Sequence, residues 1–198
     1  MARAALLLAQ GFEEFEAMSL LTILARGGVS VRTYAVGGET TVVGAHGVPM
    51  IADDLVENFK ADEVDALVLP GGLPGAEHLR DDAGAQKAIK DAAGAGKYLA
   101  AVCAAPIALA AAGLTQDKAG TCYPGFEEGA SFAETPPHLV VRDGKIVTSL
   151  GPCTAQFLGF ELLGLLAGGE AKKAVYEGML YPLMRSREVK GHISFTKE

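Results

Sequence analysis

The residue with the clearest chemical potential is Cys103, which lies between a short apolar run and a segment that starts a helix. The run 98–102 predicts a buried strand, and Pro106 stands in the first helical turn, where proline is tolerated. Unpaired backbone N–H groups at such a strand-to-helix turn favour a thiolate. The alternative is a small buried residue in an alanine-rich core. The position favours a nucleophile.

Glu16 follows another predicted strand, the apolar run 4–9, and belongs to the first turn of the next helix. From there it could reach back across the loop toward Cys103. It could equally be a solvated acid that favours a helix N-terminus, like Glu13 and Glu14, and the residues alone leave both interpretations open. If Glu16 does face Cys103, two anions would repel, and we expect a thiolate beside a protonated carboxyl.

Gly71 and Gly72 end a third predicted strand. Glycines at this point are required by many turns, but they also allow backbone N–H groups to approach an oxyanion beside Cys103. None of the four histidines adjoins Cys103 in the sequence, so a cysteine–histidine dyad is not indicated. Cys122 and Cys153 lack the strand-to-helix context and are interpreted as core or loop residues.

Composition limits the class of protein and its partners. The 198 residues carry a formal net charge of −7 without a basic run, which argues against nucleic acid as a partner. No apolar stretch is long enough to span a bilayer. Three cysteines without metal-ligand spacing predict neither disulfides nor a metal site and favour a reducing cytoplasm. Residues 1–198 are expected to form one domain, with 181–198 a tail of uncertain structure.

Short apolar runs alternate with segments of helical periodicity along the chain, which predicts an α/β fold with a parallel sheet between two helical layers. The loops that follow its strands should meet at one edge of the sheet. Segment 37–53 lacks helical periodicity and is predicted to be a hairpin at a sheet edge, a common place for a dimer contact. The predicted strands are 4–9, 29–36, 65–69, 98–102 and 145–149, and the predicted helices are 15–26, 83–95, 105–112 and 154–166.

Five segments, in order and at matching spacing, resemble the DJ-1/ThiJ/PfpI superfamily, and its bacterial ThiJ-like branch in particular. They are GFEEFE at 11–16, LARGGV at 24–29, VLPGG at 68–72, VCAAP at 102–106 and TSLGPCT at 148–154. The resemblance covers nearly the whole chain and implies a flavodoxin-like three-layer sandwich, with a mainly parallel central sheet and helices on both faces.

The same resemblance implies a role for each matching residue. Cys103 matches an easily oxidised nucleophile, and Glu16 matches a protonated glutamic acid that hydrogen-bonds to it. The backbone amides of Gly72 and Ala104 match the donors to an oxyanion. Arg26 matches an arginine that approaches the partner's pocket in family dimers, which implies that this chain is a homodimer.

Some positions depart from the family pattern. Tyr123 stands where one subgroup carries a histidine, and Ala104 stands where the protease-like branch carries one, which argues against peptidase activity. Cys153 replaces the second glycine of a Gly-Pro-Gly-Thr motif and could narrow the pocket. Tyr123, Gly71 and Pro152 are expected to line a substrate pocket, together with Arg26.

The resemblance implies a cofactor-free and metal-free enzyme of the glyoxalase or deglycase type. Its substrate would be a 2-oxoaldehyde such as methylglyoxal, with Cys103 as nucleophile and Glu16 as proton carrier. An alternative is a redox sensor or stress-protective chaperone that uses oxidation of Cys103. A third hypothesis is a small-molecule binding protein whose pocket has lost its catalysis.

Overall fold

The computed structural model describes residues 1–189, and the order of its elements follows the predicted alternation. The strands are β1 (Arg3–Leu8), β2 (Ser30–Ala35), β3 (Thr41–Val43), β4 (Pro49–Ile51), β5 (Asp54–Leu55), β6 (Ala66–Leu69), β7 (Tyr98–Val102), β8 (Val140–Asp143) and β9 (Ile146–Ser149). The helices are α1 (Glu14–Arg26), α2 (Gly75–Asp81), α3 (Ala83–Gly94), α4 (Pro106–Ala111), α5 (Glu127–Ala130), α6 (Pro152–Ala167), α7 (Gly169–Gly178) and α8 (Tyr181–Val189).

The central sheet has the strand order β5-β2-β1-β6-β7-β9-β8. Its neighbours pair in parallel except for β8, which runs antiparallel to β9. The prediction of a mainly parallel sheet is therefore confirmed. β1, β6 and β7 are adjacent at its centre, so the loops that follow these three strands lie side by side.

Both faces of the sheet are covered, which explains why the central strands are apolar without alternation. In β1, Leu6 and Leu8 pack into one core and Leu7 into the other. The first core also receives side chains from α1 and α6, and the second from α2, α3 and α4. The α1 helix starts where the Glu13 side chain accepts a hydrogen bond from the Glu16 N–H.

The hairpin that was predicted at an edge of the central sheet lies outside that sheet. β3 and β4 do form an antiparallel pair, but this pair is a separate two-stranded sheet, and the edge strands of the central sheet are β5 and β8. The hairpin instead lies over the loop before α1, where the Gly11 N–H donates to Val43 O and the Ala45 N–H donates to Phe12 O. These bonds satisfy loop backbone groups that the central sheet does not reach.

The first part of the C-terminal tail, for which no structure was predicted from the sequence, forms a helix. The part of the tail that the structure describes is α8, whose Tyr181 packs its ring edge-on against Phe160 of α6. Residues 190–198 of that predicted tail lie outside the described residues. None of the described helices is both long and apolar enough to cross a lipid bilayer.

Candidate active site

Cys103 lies on the turn between β7 and α4 with a positive φ of 62°. This conformation is uncommon for a residue other than glycine, and it persists where the surrounding structure enforces it. Here the Cys103 N–H donates to Ser149 O at 3.0 Å, and its carbonyl accepts the Tyr123 N–H at 2.8 Å. The half-buried thiol is thus held at a sharp turn, as in a nucleophile elbow.

Glu16 is fully buried in the first turn of α1, which rules out the solvated alternative. Its Oε2 atom accepts the Gly71 N–H at 2.7 Å, and the carboxyl group is hydrogen-bonded to the Cys103 thiol. Its Oε1 atom has no hydrogen-bond partner among the described residues, which penalises the ionised form. The structure therefore brings the carboxyl and the thiol together, as the family resemblance implies.

Burial disfavours the charged form of both the Glu16 carboxyl and the Cys103 thiol. Burial raises the pKa of Glu16 to about 7, although the Gly71 N–H and the Cys103 thiol stabilise its anion. Burial, then the Glu16 charge and its hydrogen bond, raise the pKa of the Cys103 thiol to about 12. The thiol is therefore neutral as long as Glu16 is ionised, and the expected thiolate beside a protonated carboxyl stays a prediction. Because the two charges repel, the pair carries one anion at most near neutral pH, and a thiolate requires the proton on Glu16.

The glycines after β6 are required by close contacts. A Cβ atom at Gly71 would lie 2.7 Å from Cys103 Cβ and 2.8 Å from Glu16 Oε2. Gly72 has a φ of 89°, and a Cβ atom there would lie 2.4 Å from Glu13 N. Their absent side chains let the Cys103 thiol and the Glu16 carboxyl approach the same backbone segment.

Backbone N–H groups face the Cys103 thiol and the Glu16 carboxyl. The N–H groups of Ala104 and Gly72 face the Cys103 sulfur and oppose the rise in its pKa, and their role as oxyanion donors stays a prediction. The Gly71 N–H is committed to Glu16 rather than to the pocket wall. Sequence reasoning missed this role, because only the fold shows which of two adjacent glycines faces the carboxyl.

The predicted pocket residues lie on the loop before α5 and at the start of α6. The Tyr123 side chain is 46% exposed, and its ring lies against Gly151 and edge-on to Phe126. Pro152 begins α6 directly after Gly151, and Cys153 is exposed in the first turn of that helix. These residues lie on the rim that carries Cys103, since β7 and β9 are paired up to Ser149.

Arg26 is not part of this group within one chain. It is the last residue of α1, whereas Glu16 is in the first turn. At 1.5 Å per residue, the helix separates them by about 15 Å. Cys122 is buried, and burial together with the Glu127 charge raises the pKa of its thiol to about 11, which suits an inert core position.

Comparisons with known proteins agree with this architecture. Residues 2–165 match the model of the DJ-1/PfpI family. The Arabidopsis thaliana protein DJ-1 homolog B is 39% identical over 164 residues, which are 82% of this chain and 37% of that protein. The chain thus spans less than half the length of this relative, and the same holds for the Arabidopsis homolog A, of which 42% is covered.

Two solved structures match over most of both chains. Drosophila melanogaster DJ-1beta is 31% identical, with a TM-score of 0.85, and the match covers 90% of this chain and 97% of that one. Toxoplasma gondii DJ-1, described as oxidized, is 33% identical, with a TM-score of 0.84 and a coverage of 91% and 98%. Since the family model spans most of the sequence and these structures share its fold, the chain belongs to the DJ-1/PfpI family.

Proposed function

We propose that this chain is a cysteine-dependent enzyme that converts 2-oxoaldehydes such as methylglyoxal to 2-hydroxy acids without glutathione. The observation that carries the proposal is the hydrogen-bonded pair of a half-buried Cys103 and a buried Glu16. Burial raises the pKa of that carboxyl to about 7, close to the pH at which a group can both accept and return a proton. The family is known for stress-response proteins, and some of its members are enzymes.

The reaction begins with addition of the sulfur to the aldehyde carbon. A carbon–sulfur bond forms, the thiol proton passes through Glu16 to the former carbonyl oxygen, and a hemithioacetal results. The backbone N–H groups of Gly72 and Ala104, which face the sulfur, would stabilise the negative charge that develops on this oxygen.

The second stage moves a proton between neighbouring carbons. The Glu16 carboxylate takes the proton from the carbon that bears sulfur, which gives an enediol, and returns it to the adjacent carbon. The ketone becomes a secondary alcohol, and the hemithioacetal carbon becomes a thioester. Water then cleaves the carbon–sulfur bond, releases lactate and restores the thiol. Methylglyoxal and water together supply every atom of the product.

We expect the purified protein to form lactate from methylglyoxal in a buffer without glutathione, amines or added metal. Proton NMR measures both the loss of the aldehyde and the rise of the lactate methyl doublet. A deglycase would instead act on adducts between the aldehyde and an amine or thiol, so the same assay with preformed adducts separates these two activities. Failure to form lactate from either source would contradict the proposed enzyme.

A redox role is the second candidate, and the environment of the sulfur supports it. Cys103 is half-buried rather than sealed, and two N–H donors face its sulfur and could hold the oxygens of a sulfinic acid. After mild peroxide treatment, peptide mass spectrometry should show added oxygen on Cys103 before Cys122 and Cys153. Equal oxidation of the three cysteines would contradict selective sensing.

Family members commonly form dimers, and a homodimer stays a prediction for this chain. Apolar side chains on α1 and on the β3–β4 hairpin support it, since Phe15, Met18, Val48 and Ile51 are between 42% and 78% exposed. Sedimentation velocity at micromolar concentration tests the oligomeric state. A cytoplasmic location also stays a hypothesis. So does the third possibility, that this chain binds a small molecule without catalysing a reaction.

A further inference from the structure

A second cluster of ligating side chains lies beside the Cys103–Glu16 pair, at the point where the β3–β4 hairpin covers the start of α1. It consists of Glu13, Glu14 and His46, whose ligand atoms lie within 4.8 Å of one another. We propose that these three residues bind a divalent transition-metal ion such as Zn²⁺. This site would be separate from the thiol chemistry and independent of the proposed reaction.

The distances between the ligand atoms suit one small ion. His46 Nδ1 lies 2.7 Å from Glu14 Oε2 and 3.9 Å from Glu13 Oε1. A tetrahedral zinc ion with bonds of 2.0–2.1 Å holds its ligands about 3.3 Å apart, which falls between these two values. Small side-chain rotations would therefore bring all three atoms into coordination. The fourth position would be left to water.

The other oxygen of each carboxylate is already fixed by the backbone. Glu13 Oε2 accepts the Glu16 N–H at 2.6 Å. Glu14 Oε1 accepts the N–H groups of His46 and Val48 at 2.8 and 3.3 Å. Such outer contacts orient metal ligands and reduce the entropy lost on binding. Each carboxylate thus presents one oriented oxygen to the imidazole.

The charge balance of the cluster also favours a cation. The Glu13 and Glu14 side chains are only 14% and 13% exposed, whereas the His46 side chain is 69% exposed. Among the described side chains of a single chain, residues 1–186, neither carboxylate forms an ion pair with a lysine or an arginine. One imidazolium can neutralise only one of two poorly solvated charges, whereas a divalent ion would neutralise both.

The donor set narrows the choice of metal. One imidazole nitrogen with two carboxylate oxygens suits Zn²⁺ and Co²⁺, whereas Mg²⁺ and Ca²⁺ require more oxygen ligands. The sequence predicted no metal site, because that prediction considered ligand spacing along the chain. Here Glu14 and His46 are 32 positions apart and meet only because the hairpin folds onto α1.

Isothermal titration with Zn²⁺ tests the site in a Cys103→Ser, Cys153→Ser background, which removes the accessible thiols as competing ligands. We expect one site per chain. His46→Gln should weaken it at least tenfold, because glutamine can still hydrogen-bond to Glu14 but is a poor zinc ligand. Glu14→Gln should also weaken it. His138→Ala, which removes another exposed histidine, is the matched control and should leave the affinity unchanged.

Thermal unfolding with and without Zn²⁺ gives a second readout that does not depend on activity. The ion should raise the Tm of the background protein and of the His138→Ala control but not that of His46→Gln. Circular dichroism checks that each variant is folded. Equal Zn²⁺ affinity in His46→Gln and its parent, or no binding to the parent, would overturn the proposal.

Discussion

Replacing Cys103 by serine is expected to lower kcat/KM for methylglyoxal by a factor on the order of 10⁴ or more, to the background rate. Serine is nearly isosteric and can occupy the same turn, so the positive φ and the hydrogen bonds to Ser149 and Tyr123 should persist. Its hydroxyl is far less acidic than a thiol, and Glu16, with a pKa of about 7, is too weak a base to ionise it. Initial rates of aldehyde loss measure the effect.

The matched control for this variant is Cys153→Ser. Cys153 is exposed in the first turn of α6, on the same rim, and nothing in the proposed reaction uses it. The control should keep activity within about threefold of the wild type. Turnover by Cys103→Ser at the control's rate, from a sample with an unchanged melting curve, would remove the nucleophile from the mechanism.

The sequence was sufficient to predict most of the central strands and the main helices that cover them, because the pattern that indicates each of these elements is local. Buried parallel strands appear as apolar runs such as 4–9, and Gly27 and Gly28 mark the end of α1. The strand-to-helix turn at Cys103 could also be predicted, since this residue stands between such a run and Pro106. Each of these features depends on neighbours within a few positions of the chain.

Two kinds of feature were not predicted from the sequence: elements too short to give a clear periodic pattern, and contacts between distant segments. α2 is a short helix of seven residues, and β8 is a four-residue strand with its antiparallel partner close by in the chain. The placement of the β3–β4 hairpin follows from bonds to the loop before α1, which no pattern within 37–53 encodes. The Glu14–His46 contact has the same origin.

The raised pKa of the Cys103 thiol has a particular physical cause. The sequence argument used the helix that begins at Pro106, but α4 ends at Ala111, and its six residues supply a limited dipole. Burial and the neighbouring Glu16 charge act in the opposite direction and are larger at this position. Formation of a thiolate at Cys103 therefore depends on protonation of Glu16 rather than on the helix terminus.

Replacing Glu16 by glutamine should lower kcat for methylglyoxal by about 10²–10⁴, the usual contribution of a general acid–base residue. The amide can still accept the Gly71 N–H and contact the Cys103 thiol, so the pocket should keep its shape, and KM should change little. The variant cannot carry a proton between the two substrate carbons. Loss of the carboxyl with unchanged kcat would show that another group transfers the proton.

Glu16→Gln should be more stable than the wild type above neutral pH. Its stability therefore reports the free energy lost by burying an ionised carboxylate, separately from the contribution of Glu16 to catalysis. Glu16 titrates near 7 in the folded chain and near 4.5 when unfolded, so between these values the folded state binds the additional proton. Wild-type stability therefore falls as pH rises through this window, by about 3 kcal/mol at about 1.4 kcal/mol per pH unit. Glutamine has no such penalty, so the difference in unfolding free energy between Glu16→Gln and the wild type should widen from pH 4.5 to 7.5 and then level off. Urea unfolding at a series of pH values measures it, and a constant difference across this range would mean that Glu16 is not held in a costly ionised form.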